Sequence, residues 1–225
     1  DRQVGTHRQQ RARLRAVRPM IGQDKLRVRT DPPALKKQSA GVEVDLSSIG
    51  EGYAIARLAA KIAERGYQNF LIELGGEVRA FGNGLNGKPW RIAIQRPSDS
   101  PSKAQTFISL LDTAVATSGD YQRYFEHQGR RYSHIIDPTT ARPIDHALAA
   151  VTVAADSALV ADAWDTALLV LCPQRGYECA VEHNIAALFI SRSGNGFVAQ
   201  ESPAWKKRFS TATNSVPAAP RTRSP

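Results

Sequence analysis

The chain is poor in sulfur: its 225 residues include two cysteines and one methionine. Cys172 and Cys179 fall in one short segment that reads as helical, too close in sequence to clamp distant parts of the chain, and neither CxxC nor Cys/His zinc spacing is present. These absences argue against a disulfide framework and a structural zinc site. No run of about 18 apolar residues occurs, so no membrane-spanning helix is predicted. The opening Asp1-Arg2-Gln3-Val4 has neither Met nor the apolar core of a signal peptide. GxGxxG, a Walker lysine loop, a nucleophile elbow and internal repeats are all lacking.

What is present is ordinary globular composition, 42% hydrophobic and 23% charged, enough for one sizeable domain or two small ones. The net charge of +9 is unevenly distributed. Residues 1–40 carry eleven Lys/Arg against three Asp, residues 202–225 five Lys/Arg and no acid, and residues 41–201 are acidic at net −4. A basic arm on an acidic body is not a duplex-binding face, and nucleic-acid binding is the weakest reading. The expected organisation is a basic arm and strand over residues 1–40, the main domain over 41–201, and a disordered tail over 202–225 rich in Ser, Thr, Pro, Ala and Arg.

Alternation predicts strands at 25–30, 42–45, 69–74 (buried), 77–81, 90–95, 107–111, 114–117 and 149–154, a hairpin of 121–127 with 130–136, and a last strand at 187–191. Helical spacing of Tyr53, Ala56, Leu58, Ala59, Ile62 and Ala63 predicts a helix over 52–65, stopped by Gly66. A second helix is predicted over 157–171, with Ser157 as N-cap. The fold class is α+β, a largely antiparallel sheet with two main helices.

Three segments carry chemistry. In Asp45-Leu-Ser-Ser-Ile-Gly-Glu-Gly-Tyr53 a strand end opens into a helix, directing free N–H groups and a favourable dipole at a phosphate; the plainer alternative is an ordinary N-cap serine. In Asp162-Ala-Trp-Asp-Thr166 the two carboxylates stand three apart on one helical face, with Thr166 four from Asp162. That set suits Mg²⁺, a hard cation that takes oxygen ligands. A solvated acidic face is the alternative, but the neighbouring residues are nearly all apolar, and a buried pair of like charges needs a cation or a proton. In Tyr132-Ser-His-Ile-Ile-Asp-Pro138, His134 ends a strand beside a turn, placed for general acid or base work, against the alternative of a structural histidine. Leu74-Gly-Gly-Glu77 reads as a close-packed turn or a place where a flat ligand meets backbone. His7, His127, His146 and His183 show no spacing that would build a site.

Taken in order, VDLSSIGEGYAIARLA, LIELGGEVRAFG, GKPWRIAIQRP, ATSGDYQRYFEHQGRRYSHIIDPTTARPIDH and AVTVAADSALVADAWDTALLVLCP resemble the ApbE family of FAD:protein FMN transferases, from about Val42 to Ile190. The resemblance implies an enzyme that takes FAD as substrate and Mg²⁺ as cofactor, links FMN by phosphoester to a Thr or Ser of an acceptor protein (a redox-complex subunit), and releases AMP. It implies FAD contacts at Asp45, Glu51 and Ile136, metal contacts at Ser48, Asp162, Asp165 and Thr166, and a catalytic role for His134. Glu51 stands where many members carry Lys. The first 19 residues resemble nothing in the family, and the chain reads as a truncated member lacking an N-terminal portion. The complete protein is expected in the periplasm as an inner-membrane lipoprotein. An FAD pyrophosphatase giving FMN and AMP, or a non-catalytic flavin-binding fragment, are the competing expectations.

Overall fold

The structure, a computed structural model, describes residues 12, 14–97, 104–121, 124–127 and 130–209. It divides into two compact units, Asp1–Leu46 with Phe125–Asp145, and Ser47–Tyr124 with His146–Pro225.

In the first unit, β1 (Leu26–Thr30) pairs antiparallel with β2 (Pro33–Lys37). The strand expected at 25–30 ends before Pro32-Pro33, and Pro33 opens the return strand, where a first-position proline is tolerated. Residues 42–45, expected as a strand, run as irregular chain.

The second unit is built on a six-stranded antiparallel sheet ordered β14-β13-β12-β7-β4-β3. Its strands are β3 (Phe70–Leu74), β4 (Glu77–Phe81), β7 (Ala114–Gly119), β12 (Leu148–Ala155), β13 (Ala186–Ser193) and β14 (Gly196–Glu201). Central β12, LAAVTVAA, is apolar almost throughout because the sheet is covered on both faces, and all but its last residue are buried. On one face α1 (Gly50–Glu64) and α2 (Ala158–Val170) pack through Ile55, Ala59, Ile72, Ala114 and Ala158. On the other, the hairpin of β5 (Trp90–Gln95) and β6 (Ala104–Leu110) joins α4 (Pro203–Phe209) over a core that includes Leu110, Leu188, Ile190 and Trp205.

The expected class and both main helices are observed. The α1 stripe buries Gly52, Ile55 and Ala59, while Tyr53 and Leu58 face outward. Gly66 takes φ +88 just past the helix and donates to the carbonyl of Ala63, as a helix stop requires. Ser157 occupies the N-cap of α2 without a side-chain cap bond.

Three further expectations are corrected. β3 is an edge strand, with Ile72 its only buried residue, rather than a buried one. The strand at 187–191 is not the last, since β14 follows it through a turn at Gly194. The tail expected from residue 202 begins as α4, which buries Trp205 and Phe209; two large aromatics on one helical face outweigh the polar composition around them. The remainder of that tail, the loop at 98–103 and most of the basic arm lie outside the described residues. A further helix, α3 (Pro173–Glu182), contains Cys179 and is capped by Cys172; both thiols are free.

Candidate functional site

The acidic site lies where α1, α2 and the β3–β4 turn converge. Gly52, in the first turn of α1, approaches α2 so closely that a Cβ there would meet the Ala158 carbonyl at 2.6 Å and the Asp162 Cβ at 2.7 Å. That contact lets the Gly52 N–H donate to Asp162 Oδ2 at 2.8 Å, a buried bond across 110 residues of chain. One helical turn on, Asp165 is almost wholly buried, 1% exposed. Thr166 donates to Asp165 Oδ1 at 3.1 Å and shares a 2.6 Å hydrogen bond with Ser118 on β7. Asp165 Oδ2 is buried and has no hydrogen-bond partner among the described residues.

The third carboxylate is Glu77, at the start of β4. Gly75 and Gly76 take φ +71 and +113 before it, and a Cβ on Gly75 would fall 2.9 Å from Glu77 Oε2 and 3.3 Å from Glu51 Cγ. Gly75 therefore makes room for two acidic side chains, and Gly76 completes the turn. Carboxylate oxygens of Glu77, Asp162 and Asp165 lie within 4.8 Å of one another.

The electrostatics follow from this crowding. Burial, reinforced by the charge of Glu51, raises the Asp162 pKa against the lowering effect of the Gly52 N–H. Asp165 is pushed well above the usual carboxylate range, first by burial and then by the charges of Asp162 and Glu77. Three oxygen donors held this close, one with an oxygen that no N–H or O–H among the described residues satisfies, make a donor set suited to a hard divalent cation.

Of the residues expected from sequence, the structure gathers Asp162, Asp165 and Thr166 at one point and brings Glu51 within electrostatic reach of Asp162. Ser48 is exposed in the turn before α1. Glu77 was read as part of a close-packed turn or of a place where a flat ligand meets backbone, not as a cation ligand; its signal was the Gly-Gly pair before a carboxylate.

Asp45, His134 and Ile136 belong to the first unit. His134 directly follows β9 (Arg130–Ser133), which pairs with β8 (Tyr124–His127), and is exposed. The backbone just after it is braced at Ile135. The Ile135 N–H donates to buried Ser133 Oγ at 3.1 Å, and the Ile135 carbonyl accepts from Ile144 N–H at 3.0 Å. Ile136 opens β10 (Ile136–Asp137), paired with β11 (Arg142–Pro143). Asp137 then closes the turn, accepting from Thr139 N–H at 2.8 Å, Thr139 Oγ1 at 2.7 Å and Thr140 Oγ1 at 3.0 Å. Those bonds, the Thr139 hydroxyl first, hold its pKa below the ordinary carboxylate value.

The structure defines the class as a largely antiparallel α+β protein with three carboxylates gathered beside a helix start. The ApbE family profile matches residues 2–189, and the chain belongs to the ApbE family. The match begins at residue 2, so the basic N-terminal stretch, expected to resemble nothing in the family, falls within it. The chain is 41% identical over 194 residues to the FAD:protein FMN transferase of Haemophilus influenzae, covering 85% of this chain and 56% of that protein. It is 39% identical over 197 residues to that of Salmonella typhimurium, covering 87% and 56%. Among solved structures it resembles the Pseudomonas stutzeri flavinyl transferase ApbE in its apo form (TM-score 0.77, 42% identity, 87% of this chain and 60% of that one). It also resembles the Vibrio cholerae flavin transferase ApbE (TM-score 0.79, 37% identity, 93% and 64%). The chain thus spans little more than half the length of these curated relatives.

Proposed function

We propose that the complete protein is an FAD:protein FMN transferase, moving FMN from FAD to a Ser or Thr hydroxyl of an acceptor protein and releasing AMP. The observation that carries this reading is the buried acidic cluster of Glu77, Asp162 and Asp165, in a chain of this family, with Asp165 Oδ2 left for a ligand other than a hydrogen-bond donor. Asp162, Asp165 and Thr166 would hold Mg²⁺, with Glu77 added to the set and Ser48 on the entering turn. When bound, the ion supplies neutralisation of charge on the FAD diphosphate.

The chain's own residues do the rest. Gly52 N–H orients Asp162, Ser118 and Thr166 orient Asp165, and Asp45, Glu51 and Ile136 contact FAD. His134, exposed and braced by Ser133 and Ile144, takes the proton from the acceptor hydroxyl Oγ as the phosphoester forms. Periplasmic placement as a lipoprotein, and a redox-complex subunit as acceptor, belong to the same proposal and rest on the family resemblance.

The test supplies the complete protein with FAD, Mg²⁺ and a protein or peptide acceptor carrying a Ser/Thr site, then follows covalent flavin fluorescence in a denaturing gel. Labelling that disappears in chelator supports transfer. FMN and AMP without labelling would move the function to FAD hydrolysis, and flavin binding without turnover would leave a non-catalytic flavoprotein.

A further inference from the structure

A second concavity lies in the same unit, lined from a different face of α2 from the one that bears the acidic cluster. It is an open cleft of about 530 Å³ at the end of the sheet where β12 finishes and β13 begins. Its floor is apolar, formed by the last residues of β12 and the first of β13. Its walls carry Trp164 from α2, His183 and Asn184 from the end of α3, and Lys207 and Arg208 from α4, with Asp156 on the rim.

His183 and Arg208 keep polar atoms unused in this cleft. The His183 ring contacts Trp164, centroids 5.5 Å apart and tilted by 34°, leaving its nitrogens without a hydrogen bond among the described residues. Arg208 bonds Thr113 Oγ1 at 3.1 Å and Asp156 Oδ1 at 2.6 Å, both through Nη2, so that Nη1 and Nε remain for a ligand. Lys207 lies beside Arg208 in the same wall. An indole packed against an imidazole offers aromatic surface to a planar ring, and a guanidinium with an ammonium recognises an anionic oxygen cluster.

We infer that this cleft binds a planar aromatic anion of nucleoside-monophosphate size, its ring against Trp164 and His183 and its anionic group toward Lys207 and Arg208. The site is separate from the acidic cluster, since α2 presents Val160 and Trp164 to the cleft while Asp162 and Asp165 are buried elsewhere on the helix. An anion is repelled by the cluster when no cation is present, and the Trp164 signal reports on the cleft itself.

The experiment titrates the ¹⁵N-labelled complete protein with adenosine 5′-monophosphate in excess chelator, following the Trp164 indole N–H signal, assigned by its loss in Trp164→Phe. Adenosine and inorganic phosphate serve as separate halves of the probe. The expected result is a saturable shift of the Trp164 signal by the nucleotide, weaker for either half. Affinity should fall at least about tenfold in both His183→Ala and Lys207→Glu, whose exposed side chains put folding at little risk, and stay unchanged in Asp165→Asn. The inference is overturned if the Trp164 signal does not move at millimolar nucleotide, if adenosine alone binds equally well, or if both cleft variants keep wild-type affinity. None of these outcomes bears on flavin transfer.

Discussion

The backbone N–H of Gly52 and Oδ2 of Asp162 meet at 2.8 Å, tying the first turn of α1 to the middle of α2. The bond exists because residue 52 has no side chain: a Cβ would lie 2.6 Å from the Ala158 carbonyl and 2.9 Å from Asp162 Oδ2. Backbone cannot yield as a flexible side chain can, so the helices must separate. Gly52→Ala should therefore lower stability by about 1–3 kcal/mol in chemical denaturation and weaken the response of melting temperature to Mg²⁺. Wild-type stability in the variant would show that the helices are less closely opposed.

The acidic cluster makes a pH-dependent prediction. Asp162 and Asp165 have folded-state pKa values above the ordinary 3.8. Their contribution to stability is fully present below that value and is lost as pH rises through the raised folded-state values. In chelator at pH 7 the wild type should melt below Asp165→Asn, and the difference should shrink as pH falls toward about 4. Millimolar Mg²⁺ should raise the wild-type melting temperature and leave Asp165→Asn nearly unmoved. An equal Mg²⁺ response in both would remove Asp165 from the ion site.

Glu77 extends the same argument to a residue not recognised in the sequence. Glu77→Gln removes one of the charges that raise the Asp165 pKa. The expected result is a more stable protein in chelator at pH 7, with a smaller Mg²⁺-induced shift, both read by thermal melting. No change in the Mg²⁺ response would place Glu77 outside the cation's reach.

His134 bears on chemistry rather than stability. Its side chain is exposed at the end of β9, so His134→Ala should leave melting temperature and FAD affinity near wild type. FMN transfer by the complete protein should fall by about 10²–10⁴-fold, the range of a positioned general base. Equal covalent labelling by variant and wild type would exclude that role.

His146 gives a contrasting pH response. Both ring nitrogens are buried without a hydrogen-bond partner among the described residues, and burial lowers its pKa below the ordinary 6.5. The neighbouring charges are Asp120 and Arg192, themselves joined by hydrogen bonds of 2.9 and 2.5 Å. A depressed histidine contributes stability that is present above 6.5 and lost as pH falls toward its folded-state value. Melting temperature should decline below pH 6.5 in the wild type, and His146→Leu should flatten that part of the curve. An unchanged slope would assign the decline to other groups.

Much of this was legible in the residues alone. The 3.6-residue stripe and Gly66 mark α1, the apolar run marks β12, and the spacing of Asp162, Asp165 and Thr166 puts three oxygen donors along one side of α2 before any tertiary contact is known. These features depend on neighbours a few residues apart, and local periodicity determines them. α4 escaped because its two burying aromatics, Trp205 and Phe209, sit among lysines and arginines and declare themselves only against the core they cover.

The sequence by itself determined the family, the α+β class and the Asp/Asp/Thr face of α2. Tertiary structure alone decided that Glu77 joins that face, that Gly52 supplies the N–H which orients Asp162, and that Ser118 supports Thr166. Each of these contacts joins residues at least 48 positions apart. Their proximity is set by the order of strands in the sheet and by how closely two helices pack upon it, neither of which is written in local spacing.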